Sequence, residues 1–336
     1  MVNLVHLQSL LQLSQSDYAR CMQGWGLNLG DIECRESENQ EAYLRQISKV
    51  LPKCLSNLPN LRKFSFVTPH NETPLEEFRL LFWNCVQDVF RNSKLDALEE
   101  LSLGLALSFD FGCLARCRQI QKSLSQIMSR IKNLNVFVKD MTGDDERRIS
   151  LFQLTESQEK YPNVRHQQGF FYFIEMATHL RSLAINCTNV LDLEKLNTSN
   201  FNVLRALELD DLRTSKIKLC QMIHQNTLTL RSLEMSSISL HGGFWEEVFH
   251  TVSLIPHLTR FVPTSLEYDH RSVNWEETSD SSPDGTKPVV PGRSLHRDYD
   301  ALYRVHKHVK KHRKAAGLAE VDTEEFPFLF TEEWDY

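Results

Sequence analysis

Glycine is scarce in this chain, at 12 of 336 residues, which leaves little material for loops that wrap phosphates. Gly24, Gly26 and Gly30 approach a dinucleotide fingerprint, but their second interval is wrong for one. Positive charge is short as well. Lysine and arginine number 38 against 44 acidic residues, a net charge of -6, so there is no overall field to gather nucleic acid or anionic lipid. Apolar runs are brief, FFYFI at Phe170 to Ile174 being typical, and none approaches the roughly 18 residues that a membrane-spanning helix needs. The opening MVNLVHLQSLLQLSQSD lacks the basic start and continuous apolar stretch of a secretory leader.

The eight cysteines (Cys21, Cys34, Cys54, Cys85, Cys113, Cys117, Cys187 and Cys220) contain no C-x-x-C pair and are widely scattered. They read as reduced structural thiols of a cytoplasmic or nuclear protein. Catalytic signatures are missing too: no G-x-S-x-G elbow, P-loop, H-E-x-x-H or kinase set occurs. Cys113 and Cys117 lie four apart, as ligands on a helix can, but they share an apolar stripe with no histidine nearby in sequence. His306, His308 and His312 sit among lysines and arginines that repel a cation. The chain therefore reads as a non-enzyme that carries no metal and no cofactor.

What the sequence does have is an internal repeat. Leu58, Leu61, Phe64 and Phe66 are spaced three, three and two apart, and the last step changes from helical to strand period. The same spacing returns at Leu95, Leu98, Leu101 and Leu103, at Ala177, Leu180, Leu183 and Ile185, and at Phe201, Leu204, Leu207 and Leu209. Leu230, Leu233 and Met235 give a further copy, and weaker ones run through Ile131, Leu134 and Phe137 and through Ile255, Leu258 and Phe261. With the second leucine as marker the positions are 61, 98, 134, 180, 204, 230 and 258, and the last three intervals (24, 26 and 28) suit a leucine-rich-repeat unit.

Helical segments fill the gaps. Thr73-Pro74-Leu75-Glu76 combines an N-cap, a first-turn proline and a capping-box glutamate ahead of the stripe Phe78, Leu81, Phe82, Cys85 and Val89. After Gly112, steps of four and three through Cys113, Cys117, Ile120, Leu124, Ile127 and Ile131 predict one helix with one buried face. Thr214 or Ser215 can cap a helix bearing Ile217, Cys220 and Ile223, and Gly242-Gly243 precede one bearing Trp245, Val248, Phe249 and Val252.

One strand and one helix per unit bury their apolar faces only by stacking on neighbouring units. The expected fold is an α/β leucine-rich-repeat-like solenoid with a parallel curved sheet and helices on the convex side. Four regions follow: an N-terminal helical cap at 1–57, the solenoid at 58–267, a Ser/Pro/Gly/acid-rich linker at 268–295, and a basic helix with an acidic aromatic tail at 296–336. In the last region Leu302, Val305 and Val309 can cover the open end of the solenoid, joined by Phe326, Phe328 and Phe330 of the tail.

The residues between the buried positions of each strand face outward and make the concave surface. Lys63, Ser65, Ser102, Ala184, Ala206, Ser236 and Arg260 are among them, and the partner surface is expected at Glu100, Asp140, Ser182, Glu208, Asp210, Ser232 and Glu234. Arg181, Arg205 and Arg231 occupy one repeat position and are expected to stack, with Glu208, Asp210 and Glu234 relieving their repulsion. The acidic surplus favours a basic protein partner, and the basic helix near 302–314 is expected to pair with the acidic tail, leaving no nucleic-acid or membrane partner.

His224-Gln225-Asn226-Thr227-Leu228-Thr229-Leu230-Arg231-Ser232-Leu233, followed by Ser239 to Val248, resembles the leucine-rich-repeat portion of fungal F-box proteins, with its "H-x-N-T-L-x-x-L" turn and "G-x-W" helix start. The stretch from Tyr18 through Phe66 is similar to the segment that usually follows the F-box, and the resemblance covers roughly residues 18 to 266. It implies a substrate-recruiting role in a ubiquitin-ligase complex. No L-P-x-E-L-type segment is present, which puts the adaptor-binding half of that role in doubt and leaves a free-standing interaction scaffold as the alternative.

Overall fold

A computed structural model describes residues 4–28, 37–67, 76–138, 160–268 and 291–319. Two compact units meet in sequence at Phe201 and Asn202.

In the first unit α1 (Leu4–Ser14), β1 (Gly24–Asn28), α2 (Ser37–Ser56), β2 (Lys63–Val67), α3 (Glu76–Asn92) and β3 (Glu100–Leu105) follow in order. Next come α4 (Ser108–Arg116), α5 (Gln121–Met128), β4 (Asn133–Val138), α6 (Asn163–Glu175) and β5 (Ser182–Asp192). Each strand pairs in parallel with the next, and the register aligns Trp25, Phe64, Leu101, Leu134 and Leu183 across the five strands. Phe66, Leu103, Val136 and Ile185 make the second row, and these four are all fully buried. Phe66 stacks on Phe82 of α3 with ring centroids 4.6 Å apart, so the rows face the helices. Full burial of each such side chain contributes about 1.5–3 kcal/mol.

The strand entries share one device. The carbonyl of Gln23 accepts from the amides of Arg62 and Lys63, that of Arg62 from Glu99 and Glu100, that of Glu99 from Lys132 and Asn133, and that of Lys132 from Arg181 and Ser182. A carbonyl has two lone pairs, and here both are used where the chain bends into each strand.

Two expectations need correction in this unit. The segment 1–57, read as helical, also holds β1, whose Gly24 and Gly26 take outward positions and whose Trp25 stacks on Phe64 at 5.8 Å. The helix expected after Gly112 is two helices, α4 and α5, with Cys117 capping the first. The steps of four and three persist because Leu124 and Ile127 of α5, Ile120 before it and Ile131 after it all reach the same core. The N-cap expected at Thr73 lies outside the described residues.

Helices α4 and α6 meet through glycine. A Cβ on Gly169 would lie 2.7 Å from the Cα of Gly112, a separation that no side chain tolerates against backbone. Beside this crossing the amide of Ser108 donates to Asn163 Oδ1 at 2.8 Å, and Arg79 of α3 forms a buried ion pair with Asp110 of α4.

The second unit contains β6 (Ala206–Thr214), α7 (Lys216–Gln225), β7 (Ser232–Ser236), β8 (Ser239–Leu240), α8 (Trp245–Ser253), β9 (Arg260–Thr264), β10 (Glu267–Tyr268) and α9 (Pro291–Ala315). Leu207, Leu233 and Phe261 form one row and Leu209, Met235 and Pro263 the next. Just beyond these rows Asp211, Ser237 and Ser265 all adopt left-handed backbone, with φ of 53°, 51° and 51°. Short polar side chains tolerate that region. The kink re-aims the chain, so that Leu212 and Ile238 are buried and a second ladder forms, Arg213 opposite Ser239 and Ser239 opposite Glu267.

Ser215 caps α7, its side chain accepting from the Lys218 amide at 3.2 Å, as expected from the sequence. Ile217, expected on the buried face, is instead 73% exposed, and Leu219, Met222 and Ile223 are buried. Helix α9 packs on α8 through Ala301, Val305 and Val309, whereas Leu302 is half-buried. Asp298 of α9 accepts from the Glu246 amide at 2.7 Å and from the Tyr268 hydroxyl at 2.6 Å, and that hydroxyl accepts from the Trp245 amide at 3.1 Å. The N-cap residue of α8, Phe244, makes no side-chain cap bond, so α9 supplies what it lacks. Further along, His308 Nε2 donates to the Ile255 carbonyl at 2.7 Å and Arg313 Nη1 to that of Thr259 at 3.0 Å. The phenylalanines expected to join this seam from the tail lie outside the described residues.

Candidate protein-binding face

Alternation along a strand puts every second residue on the face away from the helices. On the first unit the row nearest the strand entries is Gly24, Lys63, Glu100, Asn133 and Ser182. Glu100 accepts an ion pair from Lys63 Nζ at 2.9 Å and a hydrogen bond from Asn133 Nδ2 at 3.4 Å, so the row is stitched crosswise. The following row is Gly26, Ser65, Ser102, Asn135 and Ala184. Asn135 is exposed, and its Oδ1 accepts from Asn186 Nδ2 at 3.0 Å, an amide pair that charge-based reading passed over. Ala184 and Asn186 are each only 9% exposed, so the face is not open there, contrary to the expectation for Ala184.

Of the residues expected to bind, Glu100 and Ser182 stand on β3 and β5 with Asn133 between them. Glu208 and Asp210 stand on β6 opposite Glu234 and Ser236 of β7, and Ser232 lies opposite Ala206. The two groups belong to different units, and Asp140 lies outside the described residues. Glu208 and Glu234 are therefore direct cross-strand neighbours of like charge. Glu234 is engaged by Arg260, whose Nε lies 3.1 Å from Oε1 and Nη2 3.2 Å from Oε2, a bidentate fork.

The arginine column needs correction. In the second unit Arg231 and Ser232 donate their amides to the carbonyl of Arg205, and Thr259 and Arg260 donate theirs to that of Arg231, which fixes Arg205 and Arg231 side by side. Both are exposed. Neither takes an ion pair among the described residues; the relief expected from Glu234 goes to Arg260. In the first unit the corresponding positions are Arg62, Glu99, Lys132 and Arg181. Glu99 holds Lys132 Nζ at 2.6 Å, and that hydrogen bond, with the fields of Lys132, Arg62 and Arg181, keeps its carboxyl below the usual range against an opposing effect of burial.

No family model matches the sequence, and no curated protein matches it. Among solved structures the chain is similar to internalin C2 of Listeria monocytogenes, at 17% identity over 64% of this chain and 74% of that one, with a TM-score of 0.26. It is also similar to an internalin, InlF, of the same organism, at 13% identity over 70% of each chain and a TM-score of 0.25. The α/β solenoid rests on the strand ladders themselves and not on these loose superpositions.

The polar motif residues that carried the F-box resemblance have a local task. Asn226 is buried, its Oδ1 accepting from the Leu204 amide and its Nδ2 donating to the Met222 carbonyl, both at 2.8 Å. It ties the end of α7 to the strand entry of the preceding repeat. Leu228 of the same motif is 78% exposed.

Among the described residues His308 of α9 serves docking, and Gln87 donates to Cys117 Sγ at 2.9 Å. No described helix is long and apolar enough to cross a membrane.

Proposed function

We propose that this chain is a protein-binding repeat module, without catalytic activity of its own, that presents the outward residues of its parallel strands to a polypeptide. The observation that carries the reading is the register: it lines polar and charged side chains into rows across successive strands, above a sheet face whose other side is committed to the core. Rows of fixed spacing suit an extended partner. Glu208 and Asp210 with Glu234 give the second unit an acidic surface that steers a basic segment, Glu234 being shared with Arg260.

The finer reading is recruitment of substrates to a ubiquitin-ligase complex. Its support is the likeness of His224 to Val248 to the repeat portion of fungal F-box proteins. Capture from a cell lysate with wild-type protein and with a Glu208→Lys, Asp210→Lys, Glu234→Lys variant tests both levels. The wild type is expected to retain basic partners that the variant loses while still folded, with a melting temperature lowered by the loss of the Glu234–Arg260 pair, and to retain ubiquitin-ligase subunits. Identical partners at identical salt would move the binding surface elsewhere. Basic partners without ligase subunits would leave a free-standing scaffold.

A further inference from the structure

The column of residues at the strand entries sets positive charges side by side in both units, but only in the first does an acid share the column. In the first unit Glu99 stands between Arg62 and Lys132 and forms an ion pair with Lys132, which is followed in turn by Arg181. In the second, Arg205 is followed directly by Arg231 and then by uncharged Thr259, whose hydroxyl is spent on the Arg231 carbonyl at 3.2 Å. The Arg231 amide donates to the Arg205 carbonyl at 2.7 Å, so the two backbones cannot separate. Like charges directly opposite on neighbouring strands, at roughly 4.8 Å, destabilise a sheet. A glutamate at either position would put an ion pair in place of the repulsion, of the kind that Glu99 makes with Lys132.

We propose that Arg205 and Arg231 form an anion clamp for a phosphate monoester carried by the partner polypeptide. Two fixed positive charges match a dianion. The three terminal oxygens of a phosphate can accept from both planar guanidinium forks, whereas the two oxygens of a carboxylate are satisfied by one. The exposed side chains leave both forks available, and binding relieves the repulsion that folding imposes. The proposal rests on the reading of this face as a polypeptide-binding surface, and it adds to the acidic row a site of opposite charge at the strand-entry edge. A partner matching both would be a basic segment bearing one phosphorylated side chain.

The test uses the full chain labelled with 15N-arginine and follows the Nε–Hε signals, assigned by their loss in Arg205→Gln and Arg231→Gln. The probes are N-acetyl-phosphoserine amide, N-acetyl-aspartate amide and inorganic phosphate. The phosphoserine probe is expected to shift both signals together and to bind about ten-fold more weakly to either glutamine variant. Each variant without ligand is expected to melt at a higher temperature than wild type at low salt, with the difference lost at high salt. Absence of a shift, or equal binding by the variants, overturns the clamp. Equal affinity for the aspartate probe overturns the choice of phosphate, and equal affinity for inorganic phosphate overturns the polypeptide source. A lower melting temperature in both variants overturns the claim of repulsion. The probes need no natural partner, so the clamp and the protein-binding reading can fail separately.

Discussion

Leu207 is 2% exposed and sits opposite Leu233 on the adjacent strand, while Ser232 one residue away looks outward. Leu207→Ala is expected to cost about 2–5 kcal/mol, as a cavity in a packed row, and Ser232→Ala almost nothing. Equal melting temperatures for the two variants would contradict the assignment of faces. Glu99 allows a second expectation at this scale. Its carboxyl titrates lower in the folded chain than unfolded, so its contribution is complete above the ordinary carboxylate value and fades as pH falls through the folded one. Glu99→Gln is therefore expected to melt below wild type near neutrality and to converge with it in acid. A pH-independent gap between the two would show that its charge is irrelevant. Which residues face outward was legible from the period of two alone. What could not be read was which of them pair: Arg260 rather than Arg231 reaches Glu234, because cross-strand neighbours are set by register, and register depends on where each preceding loop ends.

Among the elements, the strands were the most legible part and the helices between them less so. Strands announced themselves by the change from period three to period two. β1 escaped because glycines occupy Gly24 and Gly26 where other strands carry polar side chains. The break between α4 and α5 escaped because an apolar stripe marks burial, and a turn can be buried as well as a helix. The glycine contact between α4 and α6 sets a steric limit on that pair. Gly169→Ala is expected to destabilise by about 1–3 kcal/mol through overpacking against the Gly112 backbone. Gly242→Ala, with no heavy atom within 4 Å, is the matched control and is expected to be silent. The cap that α9 lends to α8 is a separate matter. Asp298→Ala leaves the Glu246 amide without its acceptor and is expected to cost about 0.5–2 kcal/mol. Amide exchange at Glu246 and its neighbours reports it: unchanged protection there would mean that α9 merely lies against α8.

At the scale of the molecule, a stack of parallel strands has a last member, and in the second unit it is β9, which among the described residues pairs only with β7. The Arg260 amide and the Thr264 carbonyl both point to β7, Ser237 donating to the latter at 2.9 Å. By alternation the backbone groups of Phe261 and Pro263 point to the free side. Proline has no amide hydrogen, so the one residue in the middle of that free side cannot donate to an added strand. Pro263→Val would restore the donor and supply the β-branched bulk of a strand residue. The variant is expected to associate through its edge with rising concentration, visible in sedimentation as species heavier than the wild type forms under the same conditions. Unchanged sedimentation would show that something other than Pro263 guards the edge. Seen this way, residue 263 is a terminator: a strand that stands last among the described residues and carries a proline on its outer side tells other chains that the template is closed.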